Sequence, residues 1–363
     1  TYWYHPHGQN RTDIQVSKGL AGLIIVKDSA ESALNLPRTY GIDDVPLIVQ
    51  TKCFDVLYQT AIATVFDTVP MINATIDAFF NAPAQVVRFR LLDGASDIKT
   101  LMKKAKADGQ AAVAITDHGN MFGVFKFVKE AHAQGIKPII GCEFYVAEDR
   151  HIKSFEKSRG QKDVRYHQLM LAKNTLGYQN LTKLCSLGYT EGMYGKYPRI
   201  DKELILKYHE GIIATSCCIG AEIPQTILSG NIELAEEKLK WWLDVFGEDY
   251  YIEIQRQRGL ERIDNTGMSQ EDVNQILLGF AKKYNIKTIA TNDAHYVEQE
   301  DYAPHDVLLC VNTGSLLEDK ERFKFPSSDF YFKTKDEMNS IFGDVKTALE
   351  NTMEIASKID DIK

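Results

Sequence analysis

The spacing of hydrophobic and polar residues changes near residue 93, and the two parts of the chain predict different kinds of structure. In the first part, short β-type apolar runs at 22–26, 46–50 and 85–89 are separated by turn residues. Runs of this kind predict antiparallel strands. We therefore expect residues 1–92 to be all-β.

From residue 93 onward, stretches with helical spacing alternate with β-type runs, which predicts an α/β domain with a mainly parallel sheet, either open or closed into a barrel. Ser96 is a candidate cap for the first helix, and Thr334-Lys-Asp-Glu337 is a capping-box sequence for the last helical region. The mixed-charge stretch 148–166 predicts a solvated loop. The predicted strands are 111–115, 137–146, 168–172, 211–215, 249–255 and 286–291, and the predicted helices are 96–107, 121–134, 176–187, 231–246, 270–284 and 334–359.

Side chains that can bind metals follow several of these strands. His118 comes just after one strand, Glu143 follows the next apolar run, and Asp293 and His295 follow the last strand. Functional residues of βα barrels gather where strands end, so this pattern indicates metal-assisted chemistry at a barrel mouth. Taken singly, each residue has a structural alternative, such as a capping loop for His118 or a surface carboxylate for Glu143.

Composition narrows the class of protein. The chain has 363 residues, 44% of them hydrophobic, and a net charge of -8, so no overall positive charge draws it to nucleic acid or acidic membranes. The apolar runs are too short to span a bilayer, and we expect a cytoplasmic protein without a membrane partner. The six Cys form no CxxC pair, which fits a reducing compartment and predicts buried thiols at Cys217 and Cys218.

The first part contains His5 and His7, two imidazoles that would face one side of a strand and could bind a metal there. A bare pair of this kind is more often a pair of surface histidines. The strings Thr1-Tyr-Trp-Tyr-His5-Pro-His7 and Gly19-Leu-Ala-Gly-Leu-Ile-Ile-Val26, however, resemble the multicopper oxidases, from the end of their first cupredoxin domain into the second. The resemblance implies that His5 and His7 match copper ligands. The family's other copper motifs are missing, so bound copper and copper oxidation are not expected.

The second part resembles a different family along its whole length. The matching strings include Ala114-Ile-Thr-Asp-His118-Gly, Lys137-Pro-Ile-Ile-Gly-Cys-Glu143, His167-Gln-Leu-Met-Leu-Ala-Lys173, Gly220-Ala-Glu-Ile-Pro224 and Ala290-Thr-Asn-Asp-Ala-His-Tyr296. Together they resemble the polymerase-and-histidinol-phosphatase (PHP) domain at the N-terminus of the bacterial replicative DNA polymerase III alpha subunit. The resemblance implies a distorted seven-stranded (β/α)7 PHP barrel with a cluster of Zn or Mn ions, with Fe as a further option. In active members this cluster hydrolyses phosphoesters or trims DNA 3′ ends.

The resemblance also implies a set of ligands. Cys218 matches better than Cys217, because the family places the ligand directly before an aliphatic residue and two small ones. Carboxylates can bridge cations, imidazoles suit Zn or Mn, and a thiolate prefers Zn. The implied ligands are Asp93, His118, Glu143, His167, Cys218, Asp293 and His295.

The sequence departs from the family at the first strand. The family's opening His-x-His pair would fall on Ala84 and Val86, so two metal ligands are missing and the cluster is expected to be incomplete. Both families pass through a string like Leu91-Leu-Asp-Gly-Ala-Ser96, which indicates a chimeric chain joined there. The domain prediction is a partial cupredoxin-like fragment over 1–92 and a PHP domain over 93–363 that ends before the polymerase palm and its aspartates. The missing strand is expected to be replaced by residues 86–90.

Three functional hypotheses follow. The first is the PHP domain of a replicative polymerase, whose partners would be DNA and other replicase subunits, with a phosphoesterase or 3′–5′ exonuclease-type site that has lost its first histidine pair. The second is a non-catalytic scaffold for the polymerase and its proofreading partners. The third, a copper-binding oxidoreductase fragment, rests on His5 and His7 alone.

Overall fold

A computed structural model divides the chain into two units, Thr1–Arg90 and Leu91–Lys363. In the first unit it describes only five short strands; in the second it describes residues 97–153, 163–263 and 266–361. Strands β1 (Tyr2–Tyr4) and β2 (Gly22–Ile24) pair antiparallel. Strands β3 (Val49–Lys52), β4 (Val69–Ile72) and β5 (Thr75–Ile76) form a second antiparallel sheet. The predicted run 22–26 includes β2, whereas His5, His7 and the run 85–89 lie outside the described residues.

The second unit alternates strands and helices, as the spacing of its apolar residues predicts. Its strands are β6 (Ala112–Ile115), β7 (Lys137–Ala147), β8 (Arg165–Ala172), β9 (Arg199–Ile200), β10 (Ile212–Thr215), β11 (Tyr250–Gln255) and β12 (Thr288–Thr291). Its helices are α1 (Ile98–Ala107), α2 (Val124–Gln134), α3 (Thr175–Thr190), α4 (Lys202–Tyr208), α5 (Glu222–Leu228), α6 (Ile232–Phe246), α7 (Gln270–Tyr284), α8 (Tyr302–Thr313), α9 (Lys335–Ile341) and α10 (Lys346–Lys358).

The strands of this unit form one seven-stranded mixed sheet in the order β12-β11-β10-β8-β7-β6, with β9 beside β7. The pairs β6–β7, β10–β11 and β11–β12 are parallel, whereas β8 is antiparallel to both β7 and β10. The sheet is therefore mainly parallel, as predicted, and β8 is its antiparallel exception. The reversal means that the N-terminal end of β8 lies at the same edge of the sheet as the C-terminal end of β7. Among the described strands β6 and β12 are the edges, and residues 86–90, predicted to pair there, are not described.

The helices bury their apolar faces against this sheet. Trp242 of α6 is 1% exposed and stacks near Phe246 and Tyr250, while its neighbour Trp241 stays partly exposed, because adjacent residues face different sides of a helix. Every residue of β11 is buried. A strand buried on both faces is typical of a sheet covered by helices.

Helix ends follow the capping chemistry of the sequence in part. The predicted capping box is present at the start of α9, with the Thr334 hydroxyl accepting from the Glu337 amide. The predicted helical region 334–359 is divided, because a second helix, α10, begins after Val345. The cap of α1 is Asp97, not the predicted Ser96. Helices α4, α5 and α8 were not predicted, because the first two have only seven residues and offer little periodicity.

The predicted solvated loop 148–166 is confirmed at Glu148, Asp149 and 151–153, which are exposed, but is wrong at Arg150 and at its C-terminal end. Arg150 is 6% exposed, and its guanidinium contacts the Asp201 carboxylate at 2.8 Å and that of Glu191 at 2.8 Å. Arg165 and Tyr166 belong to β8. The charge pattern does not reveal this burial, because the carboxylates that pair with Arg150 come from other elements. No helix among the described residues is long and apolar enough to cross a membrane.

Candidate metal centre

Six of the implied ligands lie in the described part of the chain and come from strand ends at one edge of the sheet; Asp93 lies outside it. His118 follows β6, Glu143 lies in β7, and His167 is near the start of β8. Cys218 follows β10, and Asp293 and His295 follow β12. His167 differs from the others by preceding the body of its strand. The antiparallel direction of β8 explains how it still reaches the same edge.

Glu143 is at the centre of the first group of side chains. Its Oε1 lies 2.9 Å from His167 Nδ1 and 3.7 Å from His118 Nδ1, and the Cys218 thiol lies 3.6 Å from the same oxygen. Cys218 Sγ is also 3.4 Å from His167 Nδ1. Ligand atoms of His118, Glu143 and His167 all fall within 4.8 Å of one another, a spacing compatible with a shared metal ion.

Backbone contacts hold this group in place. The Gly119 amide donates to the Glu143 carbonyl oxygen at 2.8 Å, and the Glu143 amide donates to that of Asp117 at 3.1 Å. These bonds extend the parallel pairing of β6 and β7 beyond β6, to His118. The His167 amide in turn donates to the carbonyl oxygen of Gly220, which ties β8 to the Cys218 loop.

His295 and Asp293 form a second group beside the first. The ring centroids of His118 and His295 are 5.8 Å apart, and those of His118 and His167 are 4.9 Å apart. His295 Nδ1 donates to the backbone carbonyl oxygen of Asp293 at 2.8 Å. A histidine fixed through one ring nitrogen presents the other as a metal ligand.

The two adjacent cysteines are both free and buried, as predicted. Their ligand atoms and those of Glu143 also lie within 4.8 Å of one another. Cys217 has a positive φ of 58°, unusual for a residue with a side chain. Burial raises the pKa of the Cys217 thiol well above its ordinary value, which favours the uncharged form. Cys218, with its contacts to both Glu143 and His167, is the better placed of the two to act as a ligand.

Neighbouring charges decide the ionisation of the cluster. Burial alone would raise the pKa of Glu143, but the attraction of His118 and the hydrogen bond from His167 lower it to about 2. Burial would lower the pKa of His167, but hydrogen bonds with Cys218 and Glu143 raise it to about 11. Burial lowers the pKa of His118 and raises that of Asp293. Glu143 and His167 therefore form an ion pair, and burial disfavours the charged form of the neighbouring His118.

The side chains fit a divalent cation. His118 Nδ1 is buried and has no hydrogen-bond partner among the described residues, although buried polar atoms are nearly always paired. It is directed toward Glu143, and its neutral form is the one that binds metals. Two imidazoles, a carboxylate and a thiol are a donor set that suits Zn more than the harder cations.

A further histidine, His305, packs beside this group but is not one of the implied ligands. It lies on α8, but it is only 5% exposed and packs against His295, Tyr296 and Phe325, with ring centroids 5.9, 5.2 and 5.0 Å away. Burial and the nearby His295 lower its pKa to about 4. The sequence alone does not reveal that His305 is buried, because its aromatic partners come from separate segments of the chain.

The buried neutral His305 predicts a pH dependence of stability. The unfolded chain binds more protons than the folded chain between pH 4 and 6.5, so the free energy of unfolding should fall by about 3 kcal/mol as the pH drops through this window. We expect His305→Phe to remove this part of the dependence, as measured by urea unfolding with a chelator present. His132→Phe, at an exposed site on α2, is the control. An unchanged pH profile in His305→Phe would contradict the prediction.

Comparisons with known proteins bear on this arrangement. A family model described as PHP domain matches residues 87–257. The chain is 44% identical to the DNA polymerase III subunit alpha of Borreliella burgdorferi over 276 residues, which cover 76% of this chain and 23% of the relative. It is 43% identical to that of Thermus aquaticus over 284 residues, or 76% and 22% of the two chains. It is 42% identical to the DNA polymerase III subunit alpha of Deinococcus radiodurans over 260 residues, which cover 70% of this chain and 19% of the relative.

The chain thus spans about a fifth to a quarter of the length of these curated relatives. Among solved structures, an amidohydrolase from Chromobacterium violaceum aligns with 15% identity and a TM-score of 0.33, over 56% of this chain and 84% of that one. Similarity at this level supports no functional conclusion.

Proposed function

Because this chain contains a PHP domain homologous to DNA polymerase III alpha subunits, we propose that its strand-end cluster is a metal-dependent phosphoesterase site of the 3′–5′ exonuclease type, lacking the first His-x-His pair. The observation that carries the proposal is the position of Glu143. Its carboxylate is buried and lies within 3.7 Å of two imidazoles and a thiol that come from three other segments. Glu143 would then be the central carboxylate ligand of the site.

The implied ligands fall into two groups, one for each of two metal ions. His118, Glu143, His167 and Cys218 would hold one Zn or Mn ion, and Asp293 with His295, joined by Asp93, would hold another. A bound cation of this kind supplies an acidified water and stabilises the charge on a phosphoryl oxygen. His167 must lose its proton to become a ligand, so metal binding and the ionisation of the Glu143–His167 pair are linked. The aromatic ring of Tyr145, 5.9 Å from His118 and 5.5 Å from His167, shields one side of the cluster from water.

The alternative, a non-catalytic scaffold, is favoured by one observation. Ala84 and Val86 stand where the family has histidines, and neither can bind a metal. A site without these donors would hold fewer cations and activate water less well. The implied ligands would then be retained for structure alone.

Metal analysis separates the two functions. If the site is an enzyme, the full chain should copurify with Zn or Mn and hydrolyse a chromogenic phosphodiester, with activity removed by a chelator and restored by the metal. We expect fewer bound ions than in an intact relative and a low rate, because donors are missing. Bound metal without any hydrolysis would favour the scaffold, and a chain that binds no metal would contradict both metal sites.

The wider setting is also a proposal. We infer that residues 93–363 come from a cytoplasmic replicative polymerase that works on DNA with other replicase subunits. The overlap of the chain with a fifth to a quarter of polymerase relatives supports this origin.

For residues 1–92 we propose a multicopper oxidase fragment fused to the PHP domain. The resemblance around His5 and His7 supports it. We expect no blue or near-ultraviolet copper absorption after incubation with Cu²⁺. The uninterrupted genomic sequence across codons 80–100 tests the fusion itself, because separate reading frames at that point would exclude a chimeric chain.

A further inference from the structure

A buried glutamate beneath the cluster belongs to none of the implied ligands. Glu253 lies near the middle of β11 and is 4% exposed. One carboxylate oxygen accepts from the Thr215 hydroxyl at 2.5 Å, and the other accepts from the Thr291 hydroxyl at 2.5 Å and the Gln255 amide at 3.0 Å. Since β11 lies between β10 and β12, the carboxylate joins both neighbouring strands.

The two threonines occupy equivalent places. Thr215 is the last residue of β10 and Thr291 the last residue of β12. Two residues beyond each, the backbone turns into the left-handed region, with φ of 58° at Cys217 and 49° at Asp293. In residues with side chains this conformation costs about 1–3 kcal/mol and persists only where surrounding contacts hold it. Both turns place implied ligands, Cys218 and Asp293, over the cluster.

Direct contacts connect Glu253 to the first of these turns. The Thr215 hydroxyl, while donating to Glu253, accepts from the backbone amide of Cys217 at 3.0 Å. The Ser216 hydroxyl accepts from the Glu253 amide at 2.8 Å. Glu253, a buried residue of the sheet, thus holds the backbone before Cys218 in place through the hydroxyls of Thr215 and Ser216.

A carboxylate suits this position better than an amide. In its ionised form it can only accept, so both threonine hydroxyls must then donate to it. The lone pairs of the Thr215 oxygen are then left for the Cys217 amide. A glutamine would present two hydrogens on one side, and the threonine facing them would have to reverse its hydroxyl.

We propose that Glu253 is a positioning residue of the metal centre, which, through Thr215 and Thr291, holds in place the two loops that carry the implied ligands Cys218 and Asp293. The inference rests on the proposed metal-dependent function. Partners that orient metal ligands without touching the metal typically change affinity by about 10- to 100-fold when they are removed. Glu253 should act in that range.

The test compares matched variants of the full chain. Thr215→Val removes the hydroxyl but keeps the shape of the side chain, and Thr215→Ser keeps the hydroxyl. Glu253→Gln alters the acceptor itself. Glu354→Gln is the control. The Glu354 carboxylate on α10 accepts from the hydroxyl of Tyr251, a residue of the same strand as Glu253, but Glu354 is not part of the cluster. Zn²⁺ affinity is measured by competition with a chromophoric chelator, and the Cys218 thiolate is followed through its charge-transfer absorption with Co²⁺, both well below the melting temperature.

We expect Thr215→Val and Glu253→Gln to weaken Zn²⁺ binding by about 10- to 100-fold and to reduce the Co²⁺–thiolate band, with Thr215→Ser and Glu354→Gln close to the parent chain. If Glu253→Gln does not fold, the comparison of Zn²⁺ affinity between Thr215→Val and Thr215→Ser tests the inference. Parent-like affinity and absorption in Thr215→Val or in folded Glu253→Gln would overturn the inference while leaving the proposed function intact. A parent chain that binds no Zn²⁺ would refute the proposed function, and this inference with it.

Discussion

Replacing Glu143 with glutamine is expected to lower the affinity of the chain for Zn²⁺ by at least about 100-fold, more than the loss of a residue that only orients ligands. The Glu143 carboxylate contacts His167 at 2.9 Å and lies within 3.7 Å of His118 and Cys218. It is therefore the metal ligand that lies next to all three of these side chains. An amide of the same shape brings no negative charge to offset a cation. Chelator competition and metal analysis of the purified variant measure the effect.

Glu222→Gln is the matched control for this change. Glu222 is a similarly buried carboxylate that pairs with Lys202 and Lys238 outside the cluster. Its variant should keep the metal affinity of the parent even if its stability is lower. Equal affinities of the Glu143 and Glu222 variants would mean that the metal binds elsewhere in the chain.

Introducing Ala84→His and Val86→His together is expected to raise both the number of bound metal ions and the rate of phosphodiester hydrolysis. Two imidazoles would restore the donors that the family places on its first strand. A cation held by these donors, with a position open for water or substrate, stabilises the transition state by several kcal/mol, equivalent to a rate increase of at least about 100-fold. Metal stoichiometry and turnover of a chromogenic phosphodiester are measured on the same samples.

The paired variant His5→Ala with His7→Ala should change neither quantity, because these residues match a different family. A well-folded Ala84→His, Val86→His chain with unchanged stoichiometry and rate would show that residues 84 and 86 do not occupy the positions assigned to them. Each single substitution alone should give a smaller gain than the pair.

The sequence predicted most of the second unit because its helices and strands are long and regular. Helix α7 begins and ends at the predicted residues 270 and 284, and β7 and β11 each differ from the prediction by a single residue. The strand ends then brought His118, Glu143, Asp293 and His295 to one edge. These features are local, so a single sequence reveals them.

Other features depended on contacts that the sequence does not display. The direction of β8 is set by pairing with β7 and β10, not by its own residues. Glu253 lies among buried hydrophobic and aromatic neighbours on a strand that looks like plain core, and its hydroxyl partners come from two other strands. The burial of Arg150 depends on Asp201, a partner 51 residues away in the chain.

The reversed strand β8 also determines the order in which the cluster can assemble. Glu143 and His167 lie on adjacent antiparallel strands, with Tyr145 opposite His167 in the pairing. Bringing these two donors together closes only the short connection between neighbouring strands, whereas Cys218 lies 75 residues beyond Glu143. Short loops close at lower entropic cost and earlier in folding than distant contacts. Half of the cluster is therefore available to a nascent chain before the strands that carry Cys218, Asp293 and His295 have been synthesised.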